Sequence, residues 1–128
     1  MISKRIKTYR DLEVWKESMN LVEMIYKNMK VLPKEEMYGL VSQIQRAAVS
    51  IPANIAEGWG RMSKKELKRY FTIARGSAME LETHLIIVVR LDYITKEQMV
   101  PVWKQLQFVS KLLFGMIKTL NKNINKEI

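Results

Sequence analysis

The side chains that most often carry out chemistry are few in this sequence, and their spacing does not suit catalysis or metal binding. The chain of 128 residues contains one histidine, His84, and no cysteine. A ferritin-like di-iron site takes Glu-x-x-His pairs from different helices, whereas Glu80 precedes His84 by four residues and Glu82 precedes it by two. The lack of cysteine excludes disulfides, thiolate metal sites and Cys–His catalysis, and no motif supports a Ser-His-Asp triad. We therefore expect no metal site.

Two glycines and two carboxylates are the remaining candidates for a catalytic site. The pair Gly58 and Gly60 lacks the lysine–serine ending and the preceding strand of a phosphate-binding loop. The carboxylates Glu57 and Glu80 would act as an acid–base pair only beside a substrate pocket, which nothing in the sequence indicates. We expect no catalytic residues, no cofactor and no enzymatic activity.

Binding to a polyanion is better supported than catalysis. The formal net charge is +9 and the isoelectric point is about 9.8, which points first to nucleic acid. Five basic residues cluster at the start of a predicted helix, where the helix dipole disfavours cations. These residues are Arg61, Lys64, Lys65, Lys68 and Arg69. A patch that contacts phosphates explains this placement, and a solvated charge run is the alternative.

Further candidates for contact with nucleic acid lie on either side of this cluster and at the N-terminus. Trp59 is the one nearby aromatic residue that the core does not require, so it is a candidate for stacking on a base. The first ten residues contain no acidic side chain and are predicted to form a basic arm, with Lys4, Arg5 and Lys7 as the candidate contacts. The direction of this arm relative to the cluster does not follow from the sequence.

A second polar set lies beside an apolar face in the most regularly patterned stretch, residues 43–61. Its members recur every three or four residues on the second predicted helix, and two partners one turn apart lie on the third. The set comprises Arg46, Ser50, Asn54, Glu57, Ser77 and Glu80. We predict a buried polar network that fixes the register of the two helices. A contact with a ligand or with nucleic acid is the alternative.

Apolar residues recur at helical spacing in four segments separated by turn signals. The first segment begins with Asp11 as a plausible N-cap and the second begins near Lys34, while capping boxes at Ser63 and Thr95 open the third and fourth. Pro52 is expected to kink or end a part of the second helix. No strand-like alternation appears. The sequence therefore predicts an all-α fold, an up-down-up-down antiparallel four-helix bundle with helices of about 20 to 28 residues.

The four helical segments define how the chain is divided into an arm, a bundle and a tail. We expect a basic N-terminal arm over residues 1–10, the bundle over residues 11–122, and a frayed C-terminal tail over residues 123–128. Neither a signal peptide nor an apolar run long enough to span a membrane is present, so we expect a cytoplasmic protein without membrane contact. The third and fourth helices carry more apolar residues than one bundle needs, which favours self-association, with a wide core as the alternative.

Three segments resemble one family of proteins. They are YRDLEVWK at residues 9–16, QIQRAAVSIPANIAEG at residues 43–58 and ARGSAMELE at residues 74–82. The resemblance covers roughly residues 8–120 and is to the four-helix-bundle intervening-sequence proteins, which are encoded within bacterial 23S ribosomal RNA genes and elsewhere. The family's signature positions correspond to Arg46, Asn54, Glu57, Gly58, Ser77 and Glu80, and the resemblance assigns no catalytic role to them.

The resemblance also implies an assembly. It implies a bacterial, non-enzymatic bundle that assembles as a ring-like homopentamer. The accessory variability determinant of diversity-generating retroelements is similar in fold to this family, and it binds nucleic acid and a reverse transcriptase. Two hypotheses of function follow for this chain. One is an oligomer that binds RNA or DNA through basic patches with little sequence specificity, and the other is an oligomeric protein–protein adaptor.

Overall fold

Four α-helices form the architecture of the computed structural model, which describes residues 6–127, with side chains described through residue 125. They are α1 (Glu13–Asn28), α2 (Ser42–Gly60), α3 (Lys64–Arg90) and α4 (Lys96–Glu127). Residues 6–127 contain no β-strand. Three residues join α2 to α3 and five join α3 to α4, whereas 13 residues join α1 to α2, and successive helices run antiparallel. The predicted up-down-up-down four-helix bundle is confirmed, although the helices vary in length from 16 to 32 residues.

The centre of the core is the seam that the heptad pattern of α3 predicts. The buried residues of this seam recur at steps of three and four and are Phe71, Ala74, Ala78, Leu81, Leu85 and Val88. Helix α3 packs most extensively against α2 and then against α4, while α1 packs against both α2 and α4. Burial of this face on two neighbouring helices explains why α3 is long and regular.

The buried face of α1 follows the predicted apolar stripe only in part. Helical spacing predicts a stripe of Leu12, Trp15, Met19, Val22, Ile25 and Met29. Leu12, Ile25 and Met29 are buried, whereas Trp15 and Val22 are half-buried and Met19 is exposed. The core also receives a second stripe, which runs through Val14, Ser18 and Leu21. Both stripes have helical spacing, but the second contains a serine. Ser18 becomes acceptable in the core because its hydroxyl donates to the Trp15 carbonyl oxygen at 2.8 Å.

The chain between α1 and α2 also departs from expectation. Instead of an α-helix from Lys34 onward, a 3₁₀ turn (Lys34–Glu36) leads into one turn of π-helix (Met37–Val41). Helix α2 then continues without interruption through Pro52, which is buried. The proline does not end the helix: its fixed φ suits the helical backbone, and the helix accommodates both the lost hydrogen bond and the crowding of the ring against the carbonyl four residues earlier.

The two ends of the bundle carry different charges. The turn between α2 and α3 opens onto residues 61–69, where five basic side chains face one acidic side chain. At the opposite end, residues 29–36 and 90–98 carry four basic and four acidic side chains. These two segments meet there, since the Tyr93 hydroxyl donates to Glu36 Oε2 at 2.8 Å, which raises the pKa of Tyr93. We call the end that holds residues 61–69 the basic end.

The second half of α4 runs toward the basic end, and the described residues that precede α1 lie beside it. Asp11 does not cap α1: its carboxylate accepts from the backbone nitrogens of Lys7 and Thr8 and closes a 3₁₀ turn, and these bonds lower the pKa of Asp11. Ile6 lies beside the second half of α4, between Lys111 and Thr119. Helix α4 keeps its helical geometry through Glu127, beyond residue 122, where the sequence pattern fades.

The surplus apolar residues of α3 and α4 divide into two groups. Ile117 belongs to the core, and Val89, Trp103 and Leu112 are half-buried against it. The others are exposed in the single chain, and they are Ile86, Ile87, Leu91, Val100, Phe108 and Phe114. A wide core therefore accounts for only part of the surplus.

Candidate nucleic-acid interface

The basic end is built around the start of α3. Ser63 caps the helix by accepting a hydrogen bond from the Glu66 backbone nitrogen at 3.3 Å. The Glu66 carboxylate turns instead toward the Arg69 guanidinium, 3.4 Å away. Lys64, Lys65 and Lys68 therefore occupy the first two turns of a helix whose only acid in that stretch is engaged by Arg69.

Tyr70 organises the two arginines of the cluster, a role that the sequence did not reveal. The Arg61 guanidinium lies 5.3 Å from the centre of the Tyr70 ring and that of Arg69 lies 5.0 Å from it. Arg61 also donates to the Tyr70 hydroxyl at 2.9 Å and to the Glu57 carboxylate at 3.0 Å. The Tyr70 oxygen, followed by the hydrogen bond to Glu57, raises the pKa of Arg61. Both guanidiniums are thus held in place before any ligand arrives.

Lys65 and Lys68 are less constrained than the arginines of the cluster. Within the described part of the chain, their ammonium groups form no ion pair, and Lys65 is exposed while Lys68 is half-buried. Lysine carries a compact charge on a long stem, which suits contact with phosphates at variable positions. The cluster thus combines two fixed guanidiniums with the flexible ammonium groups of these two lysines.

Trp59 lies at the edge of this cluster. Its side chain is half-buried against the core, and it lines a surface cavity of about 380 Å³ next to the turn. The same cavity is bordered by Lys64, so an aromatic ring and a cation of the predicted set share one site.

The predicted N-terminal contacts are only partly within the described residues. Lys7 and Arg10 are exposed at the 3₁₀ turn that precedes α1. Lys118 and Lys122 lie on the second half of α4, which runs toward the basic end. Lys4 and Arg5, the other predicted contacts of the arm, lie outside the described residues.

The predicted polar network contains its three short members. The hydroxyls of Ser50 and Ser77 are 2.8 Å apart and join α2 to α3. The Asn54 amide donates to the Ser50 hydroxyl at 2.9 Å and to the Ser50 carbonyl oxygen at 2.7 Å. Short polar side chains fit between closely packed helices and satisfy one another there.

The three charged residues predicted for the same network do not join it in the single chain. Arg46 is exposed, Glu57 pairs with Arg61, and Glu80 lies 3.4 Å from His84. The Glu57 and Glu80 side chains keep more than half of their surface exposed, at 51% and 59%. Burial would strip a carboxylate of water without an adequate partner, so these longer side chains extend outward.

Ser77→Ala is expected to lower the free energy of unfolding by about 1 kcal/mol, the usual net value of a hydrogen bond between partly buried groups. The matched control is Thr72→Ala on the exposed side of the same helix, where the hydroxyl bonds only to the Lys68 carbonyl oxygen. That control should stay within about 0.5 kcal/mol of the parent. Denaturant midpoints of the three proteins compare them, and equal midpoints would show that the serine pair adds nothing to stability.

Neither a metal centre nor a membrane span stands out in the described residues. No group of three or more His, Cys, Asp or Glu side chains within residues 6–127 is arranged to hold a metal ion. His84 Nδ1 is buried without a hydrogen-bond partner, while Nε2 faces Glu80. None of the helices in that range combines the length and the hydrophobicity needed to cross a bilayer.

The chain is similar in sequence to a known protein family and in structure to a solved protein. The family model described as 23S rRNA-intervening sequence protein matches residues 10–115. Among solved structures, the chain is similar to a protein of unknown function from the S23 ribosomal protein family of Bacteroides thetaiotaomicron VPI-5482. The two share 30% sequence identity with a TM-score of 0.76, over 82% of this chain and 98% of that one. No curated protein sequence gives a significant match.

Proposed function

This chain belongs to the 23S rRNA-intervening sequence protein family, and from that membership and the charge at one end of the bundle we propose that it binds RNA. Binding takes place at the basic end through phosphate contacts and involves no catalytic step. The family takes its name from the intervening sequence of the 23S rRNA gene, so RNA is the partner that we test first, and DNA is the alternative polyanion.

The observation that carries this proposal is the unequal charge of the two ends. Residues 61–69 carry five basic side chains and one acidic side chain, and Glu57 adds a second carboxylate beside Arg61, whereas the charges at the opposite end cancel. The basic end thus holds three of the nine excess positive charges of the chain, five minus two, and the opposite end holds none. This local excess creates a field that attracts a polyanion.

The geometry favours contact with the sugar–phosphate backbone over readout of base edges. Arg61 and Arg69 are fixed against Tyr70, and fixed guanidiniums bind phosphate oxygens at a small entropic cost. Lys65 and Lys68 adapt to phosphates at different positions. Sequence is read by side chains set against base edges in a groove, and the basic end offers none placed in that way. Affinity should therefore depend little on RNA sequence.

Self-association through α3 and α4 would repeat the basic end several times in one particle. Ile86, Ile87 and Phe108 are exposed in the single chain, at 41%, 37% and 39%. Apolar side chains at this density on adjacent helices favour a second copy of the chain, and repetition strengthens a weak patch by multivalency. A pentameric ring, which the family resemblance implies, is the assembly that we propose.

Sedimentation at micromolar concentration is expected to give a particle several times larger than the 15.1 kDa chain, five times larger for a pentamer. Ile86→Glu should shift the distribution toward the single chain, because it buries a charge at the proposed contact. Val31→Glu introduces the same charge at a residue that is 66% exposed in a turn, and it should leave the assembly unchanged. A parent protein that sediments as a single chain contradicts the proposed assembly.

A salt titration of binding tests the proposed function. The affinity of the parent protein for RNA should fall linearly on a double-logarithmic plot, with a slope of about −0.7 to −0.9 for each phosphate neutralised. Unrelated RNA sequences of equal length should give superimposable lines. If the parent protein binds neither RNA nor DNA at low salt, the adaptor hypothesis takes the place of this proposal.

A further inference from the structure

The cavity beside Trp59 has the character of a small-ligand pocket. Its volume of about 380 Å³ falls within the roughly 300–1,000 Å³ that such pockets span. It opens at the turn between α2 and α3, and its lining is mainly apolar. The lining residues are Gly58, Trp59, Met62, Ser63, Lys64 and Leu67.

Met62 forms part of this lining in an unusual backbone conformation. Its φ is 57°, in the left-handed region where glycine is favoured and a long side chain is strained. The side chain gains nothing in return within the chain, because 91% of it is exposed. A glycine would serve the turn better, so the methionine is best explained by what its side chain contacts outside this chain.

The chemistry around the pocket identifies the group that it suits. An indole ring and a thioether chain provide flat, polarisable and apolar surfaces, which favour a planar aromatic group. Lys64 borders the pocket, and Lys65 and Lys68 follow it along the first turns of α3. The occupant therefore carries negative charge next to a flat apolar group. A nucleotide with its base unstacked has that combination.

We propose that this pocket holds one unpaired base of a single-stranded RNA whose neighbouring phosphates lie on the lysines of α3. This inference rests on the proposed function and narrows it to single strands. A base within a duplex is stacked on both faces and paired at its edge, so it enters a side pocket only after leaving the helix. Stacking on an aromatic side chain is tolerant of sequence, which agrees with binding through phosphates.

The experiment compares a single-stranded oligouridine of about 12 nucleotides with an RNA duplex of the same length, by fluorescence anisotropy across a range of salt concentrations. Trp59→Leu should weaken binding of the single strand about five- to 150-fold, the range of one base–aromatic stack, and leave binding of the duplex unchanged. The slope against salt should stay that of the parent, because no phosphate contact is lost. Trp103→Leu, which removes a half-buried tryptophan of α4, is the matched control. It should leave the ratio of the affinities for the single strand and the duplex unchanged.

Met62→Gly tests whether a loss of affinity can occur without a loss of stability. It relieves the strained turn, so its melting temperature should rise, while its affinity for the single strand falls severalfold. Asp92→Gly relieves the second non-glycine residue with positive φ among residues 6–127, at 61° in the turn at the opposite end, and should not weaken binding. A variant that is more stable and yet binds less tightly cannot owe its weaker binding to unfolding.

The outcomes distinguish the proposed base pocket from the proposed binding of RNA through phosphates, on which it rests. If Trp59→Leu and Met62→Gly change the affinities for single strand and duplex by the same factor, or change neither, the base pocket is wrong and phosphate binding stands. If the parent binds neither RNA at low salt, both proposals fall together.

Discussion

Replacing Lys64, Lys65, Lys68 and Arg69 together by glutamine is expected to weaken binding of RNA on the order of a thousandfold at about 50 mM salt, if each residue neutralises one phosphate. The salt dependence should flatten by roughly three to four in slope for the same reason. The loss should be equal for all RNA sequences, because phosphates carry no sequence information. None of the four residues is buried in the core, so the assembly should match that of the parent, and the melting temperature should fall only slightly through the loss of surface contacts such as the ion pair of Arg69 with Glu66.

The chain offers a closely matched control for this variant. Lys30, Lys34, Arg90 and Lys96 are also three lysines and one arginine, all exposed, and they lie at the opposite end of the bundle. Replacing them by glutamine lowers the net charge by the same four units. If the basic end is the binding surface, this control keeps most of the affinity. Equal losses in the two variants would mean that total charge, and not its position, governs binding.

Gly58→Ala is expected to destabilise the fold by about 1 to 3 kcal/mol, reduced by the roughly 1 kcal/mol by which alanine favours helix over glycine. An alanine Cβ at this position would lie 2.8 Å from the Tyr70 Cβ and 3.4 Å from the Leu67 Cα. Neither atom is the mobile end of a side chain, so α2 and α3 must separate. Tyr70 would move with α3, and it positions both guanidiniums of the basic end. The variant should therefore also bind RNA less tightly.

Gly60→Ala provides the contrast two residues further along α2. A Cβ at Gly60 meets no atom within 4 Å, so only the gain in helix propensity remains, up to about 1 kcal/mol. Urea denaturation of the two variants should therefore give midpoints on opposite sides of the parent. If Gly58→Ala is as stable as Gly60→Ala, the helices do not need the close approach at this position.

The buried face of a helix was predictable from the sequence where the helix carries a single apolar stripe. The seam of α3 follows from Phe71 to Val88 because no second apolar stripe of equal length exists on that helix. On α1 two stripes compete, and the choice depends on neighbours far away in sequence, such as Gln105, whose amide donates to the Glu17 carbonyl oxygen at 2.8 Å. The π-helical turn at Met37–Val41 could not be predicted, since its wider hydrogen-bond spacing has no signal in residue type.

The candidate interface was predictable in composition but not in arrangement. Charge clustering identifies the basic residues of the turn and of α3, because sequence neighbours on one helix stay close in space. The stacking of Arg61 and Arg69 on Tyr70 depends on how the turn folds back, and the left-handed conformation of Met62 depends on the same turn. The prediction of a buried polar network was wrong at Arg46, Glu57 and Glu80, because spacing alone does not say how far a side chain extends.

The difference in charge between the two ends also affects the orientation of the protein while it diffuses toward its partner. Helix α3 alone has 27 residues, so at 1.5 Å per residue the net positive end and the balanced end lie roughly 40 Å apart. The molecule therefore has an electric dipole moment along the long axis of the bundle. In the field of a polyanion it experiences a torque that turns the basic end forward, and a larger share of diffusional collisions is then productive. Salt should therefore slow association more than it accelerates dissociation.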